Sequence, residues 1–180
     1  LYGDGGVLAD VSSAFADSLD VGDELGFVEC DLSHDEVPFR DEFDLVVLAE
    51  VVEHMVLPLH EVLAKILPAL RPGGFMLITT PNLYRLRNCV RMLTGGHLFC
   101  PLVRTERGRG IGHPLELSAE NLRVHLELAG YEVVDMRLEQ YQNRGAGARA
   151  DLGRRLAYPL QRMRPLWRDN LIAVARRPVG

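Results

Sequence analysis

Two carboxylates and an imidazole fall close together in Glu50-Val51-Val52-Glu53-His54. On an α-helix turning about 100° per residue, positions i, i+3 and i+4 lie within an arc of roughly 100°, so the three side chains can converge on one point. Such a cluster can take a proton from a substrate hydroxyl, or hold a divalent cation that eases the same step. A purely structural role for His54 at a helix end is the third reading. Other acids stand where short apolar runs stop. Asp10 closes Val7-Leu8-Ala9, Asp31 closes Phe27 to Cys30, and Glu50 closes Phe43 to Ala49. A fourth run, Phe75 to Thr80, is halted by Pro81-Asn82.

These runs are the strands that must position the acids. Val7 to Ser12 and Phe27 to Asp31 each read as a strand running into a loop. The continuous apolar run Phe43 to Ala49 reads as a strand buried on both faces of a parallel sheet. A helix is expected over about 51–70, with apolar residues at 55, 59, 62, 63, 66, 67 and 70 and Pro58 near a bend or break. Arg71-Pro72-Gly73-Gly74 ends it before the strand Phe75 to Thr80. A helix over about 83–93 and a long loop to 116 follow, and loops of that length in compact domains are usually functional. Ser118 is the expected N-cap of the next helix, with Asn121 completing an imperfect capping box and Gly130 as the C′ glycine. Strands at 131–138 and 170–176 close the chain. The alternation implies an α/β fold with a mainly parallel sheet, helices on both faces and an antiparallel last strand. Ligands of such sheets sit beyond the carboxyl ends of the strands, where Asp10, Asp31, Glu50 and Thr80 to Asn82 stand.

With 180 residues, 47% hydrophobic and 25% charged, the chain suits one domain, 1–180, with one sizeable core. Three cysteines without a CxxC pair point away from a disulfide framework or a cysteine zinc site and toward a reduced, cytoplasmic setting. No apolar run approaches the roughly 20 residues of a membrane helix, and no secretory signal opens the chain. A first residue of Leu1 rather than Met suggests a start further upstream. Residues 1–60 carry fifteen acids against the single base Arg40, although the whole chain is only −5, so the remainder is basic. Lys65 is the only lysine. Residues 144–168 hold seven arginines against Asp151, with Tyr158 and Trp167 among them. That stretch reads as a solvated insertion over a substrate cleft rather than a contact for nucleic acid or an anionic membrane.

Five motifs in order, Phe27 to Leu32, Val37-Pro38-Phe39 with Phe43 to Val47, Glu50 to His54, Leu70 to Gly74 and Thr80-Pro81-Asn82, resemble class I S-adenosylmethionine-dependent methyltransferases. Ser118 to Val134 and Asn170 to Ala175 resemble the close of that domain. The resemblance implies a Rossmann-like fold, S-adenosylmethionine as cofactor, and methyl transfer to an oxygen of a small molecule or a sugar- or lipid-type acceptor. It places Asp10 on the cofactor ribose, where one carboxylate accepts two hydroxyl protons, Asp31 on the adenine amino group with Leu32 against the base, and Glu50 beside the same cofactor. Glu53 and His54 become the catalytic pair. The opening departs from the family pattern of a strand and an Asp-x-Gly-x-Gly-x-Gly loop, since only Gly3-Asp4-Gly5-Gly6 stands there. The first strand is therefore expected to be absent and the domain truncated. In a second register that tetrapeptide is the glycine loop and Asp31 the ribose acid.

The Glu50, Glu53 and His54 cluster also resembles the divalent-metal site of small-RNA 2′-O-methyltransferases and of some ubiquinone-pathway O-methyltransferases. That likeness implies His113 as a fourth ligand and Mg²⁺, Mn²⁺ or Zn²⁺ as the ion. A metal-dependent RNA 2′-O-methyltransferase and a methyltransferase-like binding or scaffold domain without catalysis are the alternatives. A nicotinamide oxidoreductase fits less well, because neither a Gly-x-Gly-x-x-Gly opening a helix nor a Tyr-x-x-x-Lys pair is present. The 83–116 loop and the 144–168 insertion are expected to decide the substrate, with Tyr84, Phe99 and Trp167 as lining groups.

Overall fold

The computed structural model describes residues 26, 28, 30–32, 34–55, 57–98, 103–104, 110–111, 115–140 and 157–180. The expected strand at 7–12, with Asp10, lies outside the described residues, as do Phe99, His113 and residues 144–156 of the insertion. Of the expected strand at 27–31, Val28, Cys30 and Asp31 are described, and none of them is in a strand.

The elements, in chain order, are β1 (Phe43–Ala49), α1 (Leu59–Ile66), β2 (Leu70–Pro81), α2 (Leu86–Leu93), the two-residue strands β3 (Val103–Arg104) and β4 (Gly110–Ile111), α3 (Ala119–Leu128), β5 (Glu132–Glu139), a helix α4 over 157–163, and β6 (Asn170–Arg176). Short 3-10 turns cover Val52–His54, Leu67–Ala69 and Pro165–Trp167. The main sheet has the order β1-β2-β6-β5. β1 and β2 are parallel, and β6 enters between β2 and β5 antiparallel to both. The result is a mixed α/β sheet with the expected antiparallel last strand.

Alternate residues of the strands build one core layer. Leu48, Met76, Ile78, Leu171, Ala173 and Ala175 are buried against Leu59, Val62, Leu63 and Ile66 of α1 and Leu122 and Leu126 of α3. The Tyr131 hydroxyl donates to the Leu63 carbonyl oxygen at 3.1 Å and ties α1 to the start of β5. β1 departs from the expectation of burial on both faces, because Leu45 is 54% and Val47 51% exposed. Among the described residues the apolar core lies on the other side of the sheet.

Two boundaries differ from the expectation. The helix expected over 51–70 is interrupted. Met55 is extended and Pro58 caps α1, so the α-helix begins only at Leu59, as suits a residue whose ring disfavours a preceding helical turn. β2 begins at Leu70, five residues before Phe75. Arg71-Pro72-Gly73-Gly74 does not end the helix, which stops at Ile66 and a 3-10 turn to Ala69, but forms an irregularity inside the strand, between the pairs Phe43 with Leu70 and Leu45 with Phe75. Gly74 is required there: a Cβ would stand 2.9 Å from the Arg71 carbonyl oxygen and 3.1 Å from that of Phe43.

Candidate active site

The pairs Pro81 with Asn170 and Asn170 with Glu139 set the carboxyl ends of β2 and β5 beside the start of β6. The carboxyl end of β1 joins the same edge through Ala49 and Thr79. Glu50 follows at once in the left-handed region, with φ 53°, a conformation that costs a non-glycine residue on the order of 1 kcal/mol. Its surroundings hold it there. The Glu50 amide donates to the Thr79 carbonyl oxygen at 2.9 Å, the Thr79 hydroxyl donates to Glu50 Oε1 at 3.1 Å, and Asn170 Nδ2 lies 3.5 Å from that oxygen. A strained acidic residue at the carboxyl edge of the sheet marks the place where ligands of such folds bind.

The next turn buries one acid and presents an imidazole. Glu53 is fully buried. Its Oε2 accepts from the Thr80 hydroxyl at 3.2 Å, while Oε1 has no hydrogen-bond partner among the described residues. Burial raises the Glu53 pKa, the nearby Glu50 charge raises it further, and its hydrogen bonds and His54 pull it back. His54 ends the turn with an exposed side chain. This corrects the expected geometry of the cluster. Glu50 precedes the 3-10 turn, so the three side chains do not share one helical arc: Glu50 goes to Thr79, Glu53 points inward to Thr80, and His54 is at the surface. No group of three or more His, Cys, Asp or Glu residues that could hold a metal ion occurs among the described residues. The Leu115 amide donates to the Glu53 carbonyl oxygen at 3.4 Å, so the chain two residues past His113 meets this turn.

Asp31 and Leu32 precede β1 in the chain. Asp31 opens a turn in which its carbonyl oxygen accepts from the amides of His34 and Asp35, and its Oδ2 lies 3.0 Å from His34 Nδ1. Leu32 packs against the edge of the core. Tyr84 is 41% exposed, and Trp167 carries the Arg164 guanidinium 5.1 Å above its ring.

Asn82, expected at this edge, makes contacts that the sequence does not announce, and Arg85, Asn88, Glu116 and Asn170 were not singled out as site residues. Asn82 is fully buried; its Nδ2 donates to the carbonyl oxygens of Leu166 and Arg168, both at 2.8 Å, and its Oδ1 accepts from the Tyr84 amide at 3.1 Å. Arg85 and Asn88, at the start of α2, both donate to the buried carboxylate of Glu116. The two ends of the long 83–116 segment are thus pinned to each other. Asn170 was discoverable in principle, because the first residue of an antiparallel strand lies at the carboxyl edge of its neighbours.

A family model for a methyltransferase domain matches residues 11–136. No curated protein matches the chain by sequence. Among solved structures, a SAM-dependent methyltransferase from Methanosarcina mazei is similar with a TM-score of 0.62 and 14% identity, over 95% of this chain and 77% of that one. The [4+2]-cyclase SpnF is similar with a TM-score of 0.57 and 19% identity, over 95% of this chain and 62% of that one. The N-methyltransferase NodS from Bradyrhizobium japonicum, solved with S-adenosyl-L-homocysteine, is similar with a TM-score of 0.51 and 16% identity, over 93% and 61%. The chain therefore spans about three fifths of the length of two of these proteins. With the family match covering more than half of its residues, on a sheet whose carboxyl edge carries the Glu50 to His54 turn, the chain belongs to the methyltransferase domain family.

Proposed function

We propose that this domain uses S-adenosylmethionine to methylate a hydroxyl group of a small-molecule acceptor, with His54 as the base. The observation that carries the reading is the turn at the carboxyl edge, where buried Glu53 is held by Thr80 and His54 is presented outward. When bound, S-adenosylmethionine supplies an electrophilic methyl group on a positively charged sulfur. The described residues fit such a cation, because Glu50 and Glu53 place two carboxylates behind the same edge and Glu53 retains an oxygen without a partner. Glu50 is assigned to orient the cofactor, and Asp10, Asp31 and Leu32 are proposed for its ribose and adenine. The His54 imidazole would accept the acceptor's hydroxyl proton. A divalent cation does not fit the described residues, and no step is assigned to one.

A general base contributes about 10²- to 10⁴-fold. His54→Ala should therefore lower kcat by at least about 100-fold while leaving the dissociation constant for S-adenosylhomocysteine unchanged, as read by transfer of labelled methyl and by calorimetry. Full turnover in His54→Ala would remove the base from the account. A second reading, a methyltransferase-like domain that transfers no methyl group, gains support from the likeness to a cyclase. It predicts product binding with no methyl transfer to any acceptor.

A further inference from the structure

The amphipathic helix α2 turns its apolar side away from the protein. At about 100° per residue, Leu86, Cys89, Val90 and Leu93 fall within an arc of about 100°, the kind of stripe that a surface helix ordinarily packs on a core. The side that packs here is the opposite one. Asn88, about 150° from the centre of that arc, is fully buried. Its Nδ2 donates to the Leu83 carbonyl oxygen at 2.9 Å and to the Glu116 carboxylate, and its Oδ1 accepts from Arg85 Nε at 3.3 Å. The stripe faces outward in consequence: Leu86 and Cys89 are half-buried, Val90 is 50% exposed and Leu93 88%. Arg87 and Arg91, one turn apart and both exposed, flank it.

We propose that this stripe docks the protein on an anionic lipid surface, a property independent of the methyl-transfer reading. Charge is the first argument. From Pro81 to Thr105 the sequence holds Arg85, Arg87, Arg91 and Arg104 and no acid, in a chain whose net charge is −5. Arg85 is paired with the buried Glu116, whereas the guanidinium groups of Arg87 and Arg91 form no ion pair among the described residues. Burial, and then the charges of Arg85 and Arg91, lower the Arg87 pKa against the pull of Glu116 and Asp169. An anion beside these groups would relieve that crowding. Arginine stems are long enough to lie along apolar surface while the heads reach phosphates, and the leucine and valine side chains enter the acyl boundary.

Size is the second argument. Eight residues of helix are about 12 Å long, too little for the roughly 800 Å² per partner that a stable protein interface buries. A lipid surface accepts a small apolar ridge without a matching groove, because headgroup phosphates surround it on every side. A second copy of the chain is a poor occupant for another reason. In a two-fold dimer the same patch meets itself, so Arg87 and Arg91 would face their own kind, at a cost. No helix among the described residues is long and apolar enough to cross a membrane, so α2 would lie along the surface. It begins shortly after β2 ends at Pro81, and docking there would hold the carboxyl edge of the sheet near the headgroups.

The whole chain would be mixed with vesicles of equimolar phosphatidylcholine and phosphatidylglycerol, and with vesicles of phosphatidylcholine alone, and the bound fraction read by sedimentation over a range of salt. Binding should saturate on the anionic vesicles, be at least about tenfold weaker on the neutral ones, and weaken as salt rises. Leu93→Ser should lower the affinity at least about tenfold, and Arg87→Gln and Arg91→Gln about fivefold each, with S-adenosylhomocysteine affinity unchanged in all three. The three side chains are exposed, so each variant should keep the parent Tm. No binding to anionic vesicles, equal binding to neutral ones, or binding indifferent to the three substitutions would overturn the proposal. A lowered Tm in Leu93→Ser would overturn it by showing the stripe covered by the chain itself, and a dimer that Leu93→Ser dissociates would assign the stripe to a second copy. Binding of soluble polyglutamate without binding of vesicles would assign it to an acidic protein instead.

Discussion

Glu53 has a cost and a use in the same place. Its folded-state pKa is raised by burial, so its contribution to stability is fully present below about pH 4.5, the ordinary value, and is lost as pH rises through the folded value. Glu53→Gln removes the charge and keeps an oxygen for the Thr80 hydroxyl. At pH 7 it should stabilise the protein by about 1 kcal/mol, or roughly 2–4 °C in Tm, and flatten the pH dependence above 4.5, as thermal unfolding at several pH values would read. An unchanged or lowered Tm would show that the buried carboxylate is satisfied after all. Glu53 and His54 stand out in the sequence because acid and imidazole recur at short spacing. Their directions were not legible, since the same spacing was read on an α-helix whereas Pro58 holds the helix back to Leu59. Asn82 was placed at the carboxyl edge by its position after the fourth apolar run, but its contacts were not legible, and Asn170 was read only as a strand residue. The partners of Asn82 are carbonyl groups 84 and 86 residues away, and no local pattern encodes such contacts.

Among the elements, α3 was the most readable. Ser118 caps it as expected, its Oγ accepting from the Asn121 amide at 3.1 Å and donating to Asn121 Oδ1 at 2.6 Å. Gly130 adopts φ 92° after its last turn. Ser118→Ala should cost about 1 kcal/mol in urea unfolding; no loss would mean the cap is replaced by solvent. The packing of α3 on α1 carries a second signature. The His60 and His125 rings stack with centroids 5.6 Å apart, and each keeps a buried Nδ1 without a hydrogen-bond partner among the described residues. Burial, then the His60 charge, lowers the His125 pKa. Its contribution is present above about pH 6.5 and is lost as pH falls through the folded value. His125→Leu should therefore reduce the loss of stability on acidification from pH 7 to 5, and an unaltered acid limb would remove the pair from the account. β2 was less readable, because a Pro-Gly-Gly run signals a stop in sequence while the sheet accommodates it as an irregularity within the strand.

At the scale of the molecule, the α/β class and the antiparallel close were legible in the alternation of strand-like and helix-like runs, whereas the place of β6 between β2 and β5 was not. The burial of β1 was not legible either, since an apolar run shows that a strand seeks cover and not which element supplies it. The site is a property of the edge as a whole: two parallel strands end beside the start of an antiparallel one, and Glu50, Thr79 and Asn170 meet there. The central claim is that this edge binds S-adenosylmethionine and its product. Isothermal titration calorimetry of the protein with S-adenosylhomocysteine tests it most directly. The account predicts saturable binding with one site per chain, weakened about tenfold, or ~1.4 kcal/mol, by Glu50→Ala. A folded protein that gives no saturable binding, or one whose affinity is indifferent to Glu50→Ala, would contradict it.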